Sequence, residues 1–299
     1  MSAAAETAVP DWFTWALSEP VETGQMEVDG CPIAFRRWGD TSLPGLLLVH
    51  GGAAHSRWWD HIGPFFSKEC CVTAIDMSGH GDSGRRPRYT LTQWATEVAA
   101  LATSASPQPP VIVAHSLGGF VTFEAAAAHG DDLEGIIIVD SPVREPTPEQ
   151  EASSNREAFG PLRLYPTREA ALARFRTVPE QPELLPYVVE HVKRHSIHEV
   201  PGGWSWKFDP AFFQNLGVFE PSVLAGVKCR VAILRPEFGL LTPDIGAHMY
   251  ELLGRTAPVI EIPLAHHHVM LDQPIALVTA VRSLLADWRH SYAMRKVAG

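Results

Sequence analysis

A serine in a confined turn is the first residue of this chain equipped for chemistry on a carbonyl. Ser116 follows a short β-branched run, Val111-Ile112-Val113, and precedes Leu117-Gly118-Gly119 and a helix-prone stretch from Phe120 to Ala128. A buried strand, one sharp turn and a helix make up the nucleophile-elbow layout, which thrusts a hydroxyl up at the end of a sheet. Such a turn leaves almost no room for side chains two residues to either side of the serine. Ala114 and Gly118 stand there, with alanine the mildest departure from the more usual glycine. A serine hydroxyl attacks acyl carbonyls at neutral pH only when a base relieves it of its proton. The turn therefore needs a base, an acid to orient that base, and two N–H groups for the developing negative charge.

The elements that must position these groups follow from the apolar pattern. Met26 to Trp38 reads as a hairpin turning at Asp29-Gly30. Gly45 to Val49, Cys71 to Ile75, Val111 to Val113 and Gly135 to Val139 are continuous apolar runs, the mark of strands covered on both faces. Thr90 and Gln93 have capping-box spacing, and Leu91, Trp94, Val98 and Leu101 behind them form one helical stripe. Strands alternating with helices predict an α/β fold with a mostly parallel central sheet and helices on both faces. From 143 to 226 the alternation lapses into Pro-rich joints and helical stretches such as Glu183 to His195. Val231 to Leu234 then resumes the sheet, Pro243 to Arg255 reads as a helix, and Val259 to Ile262 is the last strand. Pro274 to Trp288 closes the chain, with Val281, Leu284, Leu285 and Trp288 facing inward. The organisation expected is a leader (1–25), a core (26–142 and 227–299) and a largely helical cap (143–226) over the carboxyl ends of the strands, where ligands bind in open sheets. Trp12, Phe13 and Trp15 would pack the leader onto the core.

Composition narrows the function classes. The 299 residues carry a net charge of −10 with scattered basic residues, which argues against a nucleic-acid surface and an anionic-membrane binder. The start lacks a basic segment and an apolar core, unlike a signal peptide, and no apolar run reaches the roughly 18 residues a membrane helix needs. Four cysteines, three in strand-like contexts, read as buried free thiols. A cytoplasmic location is expected, and the oligomeric state is open.

Four motifs at strand ends then fall into one order: His50-Gly51-Gly52, Asp76 to Gly84, Ala114-His115-Ser116-Leu117-Gly118, and Ala265-His266-His267-His268 running to Pro274. In this order the chain from about residue 26 onward resembles an α/β-hydrolase with a cap. The resemblance implies Ser116 as nucleophile. It implies a base after the last strand, shortly before an acidic-x-Pro close, and counting back from Asp272-Gln273-Pro274 selects His267. The first oxyanion amide is that of Leu117, where the helix dipole also favours an anion. The second is implied at Gly52, with Ala53 the neighbouring alternative, and His50 braces the loop. His115 is expected on the far side of the turn. A zinc site from the adjacent histidines is not expected, because neighbours on an extended loop diverge; no metal or cofactor is assigned.

The acid departs from the commonest pattern, which places an aspartate in a Gly-x-x-Asp turn after the strand at Val231 to Leu234. Here that place holds Arg235-Pro236-Glu237-Phe238-Gly239. Glu237 is one option; Asp140, leaving directly from a central strand, is the other and the one expected. Within the cap, Trp204 and Trp206 share one extended face with Phe208 and are candidates for a substrate pocket. These residues describe a metal-free serine hydrolase acting on a small, fairly apolar acyl substrate: an ester, lactone, thioester or diketone. A non-hydrolytic member of the fold (a lyase or perhydrolase), or a receptor with a vestigial triad, would carry the same residues.

Overall fold

The computed structural model describes residues 8–104, 106–145, 163–213 and 219–297. Asp11–Ser18 forms helix α1. Its aromatics pack as the sequence suggests: Phe13 is buried, Trp12 meets Phe65 and Tyr187, and Trp15 lies edge-on to Phe65. Glu22–Val28 (β1) and Cys31–Trp38 (β2) pair antiparallel, β1 starting four residues earlier than the expected Met26. Asp29 and Gly30 both have positive φ, 46° and 73°, as a two-residue turn matched to strand twist requires.

Gly45–Val49 (β3), Cys71–Ile75 (β4), Val111–His115 (β5) and Gly135–Val139 (β6) are buried along their whole length. Between β4 and β5 lies Leu91–Ser104 (α2), where Thr90 Oγ1 accepts a hydrogen bond from the Gln93 amide at 3.1 Å. Leu117–His129 (α3) joins β5 to β6. In the segment after β6 come Arg168–Leu172 (α4), Pro186–His195 (α5), and an antiparallel hairpin of Ile197–Val200 (β7) and Gly203–Trp206 (β8). That hairpin was not anticipated: its strands are four residues each, too short to show an alternation. The stretches 146–162 and 214–218, also assigned to the cap, lie outside the described residues. Arg230–Phe238 (β9), Pro243–Leu252 (α6), Val259–His266 (β10), Val269–Asp272 (α7) and Pro274–Val297 (α8) complete the chain. Helix α8 runs nine residues past the expected Trp288.

The sheet order is β1-β2-β4-β3-β5-β6-β9-β10, parallel from β4 to β10. From β3 the chain steps outward to β4 and then returns across to β5. A crevice therefore opens between the carboxyl ends of β3 and β5, the switch point where ligands bind in such sheets. Successive residues face opposite layers: Leu46 and Leu48 pack with Leu277, Val281 and Leu285 of α8, and Leu47 and Val49 pack with α2 and α3. None of the described helices is long and apolar enough to cross a membrane.

Several hydrogen bonds tie the inserted segment to the core. Asp60, buried, holds Arg36 Nε at 2.6 Å on one oxygen and His191 Nε2 of α5 at 2.9 Å on the other. The Asp76–Gly84 loop donates from the Gly81 amide to Lys207 O and accepts the Asp209 amide at Gly79 O, both at 2.7 Å.

Helix α3 comes so close to β3 that a Cβ at Gly118 would lie 2.5 Å from the His50 carbonyl oxygen and 2.9 Å from Val49 Cγ1. Backbone cannot yield there as a flexible side chain would. Gly118→Ala should cost about 1–3 kcal/mol or more through overpacking, read as a lowered Tm. Gly226→Ala, whose new methyl would sit 3.6 Å from Ala127 Cβ, should leave Tm nearly unchanged; equal losses would refute the close-approach account.

Candidate active site

Ser116 occupies φ 54°, ψ −121°, a conformation that L-residues rarely adopt and that the surrounding structure must over-determine. Its amide donates to Val139 O at 3.0 Å, and its carbonyl accepts from the Gly119 amide at 2.9 Å and from Ser141 Oγ at 2.7 Å. The turn is thus held by two main-chain bonds and the Ser141 hydroxyl, and the serine side chain makes no capping bond to α3. The loop after β3 presses on the same point, since a Cβ at Gly51 would lie 3.1 Å from Ser116 Cβ. His50 braces that loop: Nδ1–H donates to Gly51 O at 2.7 Å, and Nε2 accepts the Met77 amide at 3.1 Å. The Leu117 amide opens α3, where helix N–H groups have no intrahelical partner. Gly52 and Ala53 both face the neighbouring cavity, Ala53 at φ 57°.

Asp140 and His267 are brought together. Asp140 Oδ2 lies 2.6 Å from His267 Nδ1, with both residues buried. The same carboxylate accepts the Leu240 amide at 2.8 Å and the Leu241 amide at 2.7 Å, so three donors fix it. A Cβ at Gly239 would sit 2.6 Å from each Asp140 oxygen. The Asp140 carboxylate thus occupies the space that a side chain after β9 would need. Glu237 points elsewhere: it is exposed and accepts the Leu264 amide at 2.8 Å.

The three consecutive histidines separate by their partners. His266 lies against Asp272, with its amide 2.7 Å and its Nδ1 3.1 Å from Oδ2. His268 donates Nε2–H to Pro179 O at 3.2 Å, and its amide bonds to Gln181 Oε1 at 2.9 Å. His115 differs from expectation. Rather than lying beyond the turn, it donates Nε2–H to His267 O at 2.9 Å, with the rings 4.7 Å apart. A polar residue ending a buried strand needs a partner, but nothing in the sequence says which. The expected divergence of the loop histidines is also corrected, since one ring nitrogen each from His115, His267 and His268 lies within 4.8 Å of the others. His115 comes from a different strand and closes the set.

Burial favours the neutral form of His268 and His115. It pushes His268 down to about 3, helped by the neighbouring His267, and pushes His115 well below the usual histidine range. Burial likewise takes His50 and His61 down to about 4.

A cavity of about 160 Å³ adjoins the site between the β3 loop and the inserted segment. Its walls include Trp58, Phe175, Trp206 and Phe208, and it meets the site at Gly52, Ala53 and His268 rather than at Ser116 itself. Trp206 lines this cavity, whereas Trp204 is not among its walls: the Trp204 main chain pairs with Tyr165, N to O at 2.8 Å in both directions.

An eight-stranded, mostly parallel sheet bearing such residues on the loops at one end defines the α/β-hydrolase fold. Residues 46–281 match the model of the Alpha/beta hydrolase family, and the chain belongs to that family. Among curated proteins it resembles Esterase Rv0045c of Mycobacterium tuberculosis, 24% identical over 85% of this chain and 86% of the relative. It also resembles a serine hydrolase-like protein of Danio rerio, 24% identical over 83% of each. Among solved structures, E-2-(acetamidomethylene)succinate hydrolase superposes with a TM-score of 0.78 at 20% identity, covering 89% of this chain and 100% of that one.

The buried neutral histidines set an acid limit. Unfolding lets His50 and His61 return to an ordinary pKa of about 6.5, so below that pH the unfolded chain binds more protons. Their stabilisation is complete above about pH 6.5 and is lost as pH falls toward 4, on the order of 3 kcal/mol each over that span. Tm should drop by about 5–10 °C between pH 7.5 and 5.0; a flat profile would mean that these rings do not stay neutral.

Proposed function

We propose that the protein is a serine hydrolase that cleaves ester-like bonds through an acyl-enzyme on Ser116. The observation that carries this reading is the 2.6 Å contact between His267 Nδ1 and Asp140 Oδ2 at the end of the strand beside the serine turn. With Nδ1–H held by the carboxylate, Nε2 keeps its lone pair for the serine proton. Ser116 attacks the carbonyl, His267 takes the proton and returns it to the leaving group, and the amides of Leu117 and Gly52 stabilise the oxyanion. Water then repeats the sequence to release the acid. Family membership and the esterases among the relatives support a hydrolase.

In this reading residues 143–226 act as a cap on a core of 26–142 and 227–299, with 1–25 as a leader that steadies both. The cap shapes the acyl pocket. Aromatic walls suit an apolar acyl group, and the small cavity suits a short or medium one.

Activity-based labelling with a fluorophosphonate and steady-state hydrolysis of a series of acyl esters test the reading together. Ser116→Ala should abolish labelling and lower kcat by about 10⁵–10⁶, and His267→Ala should be comparably damaging. Asp140→Asn should lower kcat by about 10³–10⁴, whereas Glu237→Gln should cost less than about tenfold. Full activity of Ser116→Ala would end the serine mechanism, and a crippled Glu237→Gln beside an active Asp140→Asn would relocate the acid.

The cap assignment has its own check. Trp206→Ala should change the ranking of acyl chain lengths while probe labelling stays within about threefold of the unmodified enzyme's; Trp204→Ala should change neither. An unaltered ranking in Trp206→Ala would leave the tryptophan a purely structural part.

A further inference from the structure

The meeting of three histidines has no role in the hydrolysis just described beyond His267 itself. His115 comes from the end of β5, and His267 and His268 from the loop after β10. One ring nitrogen of each lies within 4.8 Å of the others, and all three residues are buried. Each ring is anchored through one nitrogen by a group that can only accept. His115 Nε2–H goes to His267 O, His267 Nδ1–H to Asp140, and His268 Nε2–H to Pro179 O. An acceptor fixes the proton on the nitrogen it faces, so the opposite nitrogen of each ring carries a lone pair. Metal-binding histidines are held in this way, one nitrogen by a carboxylate or carbonyl and the other on the cation.

A second observation points the same way. His268 Nδ1, the nitrogen with the lone pair, is buried and has no hydrogen-bond partner. Buried polar atoms are nearly always satisfied, and a cation would satisfy this one. Imidazole donors suit zinc and its first-row neighbours rather than magnesium or calcium, which take oxygen. Three histidines with an open fourth position is also a recognised zinc arrangement, at N–metal distances of about 2.0–2.1 Å. Bonds of that length bring the nitrogens to ~3.4 Å apart, so the rings would draw together from separations of up to 4.8 Å on binding.

We propose that His115, His267 and His268 form a reversible site for zinc or a similar transition-metal cation, and that its occupancy switches the hydrolase off. The switch follows from His267: Nε2 cannot both coordinate a cation and accept the serine proton. Binding of the metal is independent of the catalytic reading, whereas the loss of activity rests on it.

The test uses tag-free, full-length protein stripped with EDTA and returned to metal-free buffer. Binding is read first, by the visible absorption of added Co²⁺ and by competition for Zn²⁺ with a chromophoric chelator. The expected result is about one equivalent bound, with Mg²⁺ and Ca²⁺ inert. His268→Ala and His115→Asn should each weaken binding by at least about tenfold, with circular dichroism establishing that each variant is folded. Should His115→Asn fail to fold, His268→Ala alone decides, since that ring borders the cavity. No bound equivalent, or binding unaltered in His268→Ala, overturns the site.

Fluorophosphonate labelling and ester hydrolysis are read second, on the same samples. Both should fall in parallel with Zn²⁺ occupancy and recover with EDTA. Full activity at saturating Zn²⁺ overturns the switch. Metal bound by a protein that never labels, even when stripped, would leave the site standing and count against the serine mechanism instead. Strong labelling with no metal bound does the reverse.

Discussion

The arrangement depends on how closely main chain can approach main chain at the ends of three central strands. Helix α3 touches the carboxyl end of β3 at Gly118, the loop after β3 touches Ser116 at Gly51, and Gly119 leaves space for Ser141. No side chain larger than hydrogen fits at these contacts without displacing backbone or a packed neighbour. That crowding holds Ser116 at positive φ, and a strained residue persists only when its surroundings leave it no alternative. Ser116 shares positive φ with Asp140, directly after β6, and with Ala53 in the loop after β3.

The rigidity of the sheet determines which carboxylate meets His267. Asp140 leaves a strand buried on both faces, and two amides from the β9 loop fix its oxygens. Gly239 is the complement of that choice: a side chain there would collide with the carboxylate. Gly239, near the place where the commoner pattern has an aspartate, leaves the room that the Asp140 carboxylate fills.

The inserted segment is joined to the loops that carry the candidate catalytic groups as well as lying beside them. The chain from Pro179 to Leu185 bonds to His268 and Leu271, immediately beyond His267. His55 and His191 carry further contacts, His55 to Ser196 and His191 to Asp60. The insert and the histidine loop are thus joined by direct hydrogen bonds. The same joint makes the histidine cluster sensitive to the insert, because Pro179 supplies the acceptor that orients His268.

What the sequence determined by itself was what local pattern can carry. Uniform apolar runs marked β3 to β6, the Asp29-Gly30 pair marked the hairpin turn, Thr90 marked the start of α2, and the serine between small residues marked the elbow. Each is a short-range requirement of burial, φ or capping, written in consecutive residues. Choosing Asp140 over Glu237 already needed an argument about rigidity, and the space left by Gly239 became visible only with β6 and β9 side by side. The β7–β8 hairpin escaped because two four-residue strands give no usable period. The convergence of His115 on His267 and His268 escaped for a deeper reason. His267 and His268 are chain neighbours with ring centroids 4.6 Å apart, but the third ring lies 152 positions from His267 in the chain. Only the parallel stacking of strands brings their ends together, and sequence spacing carries no record of it.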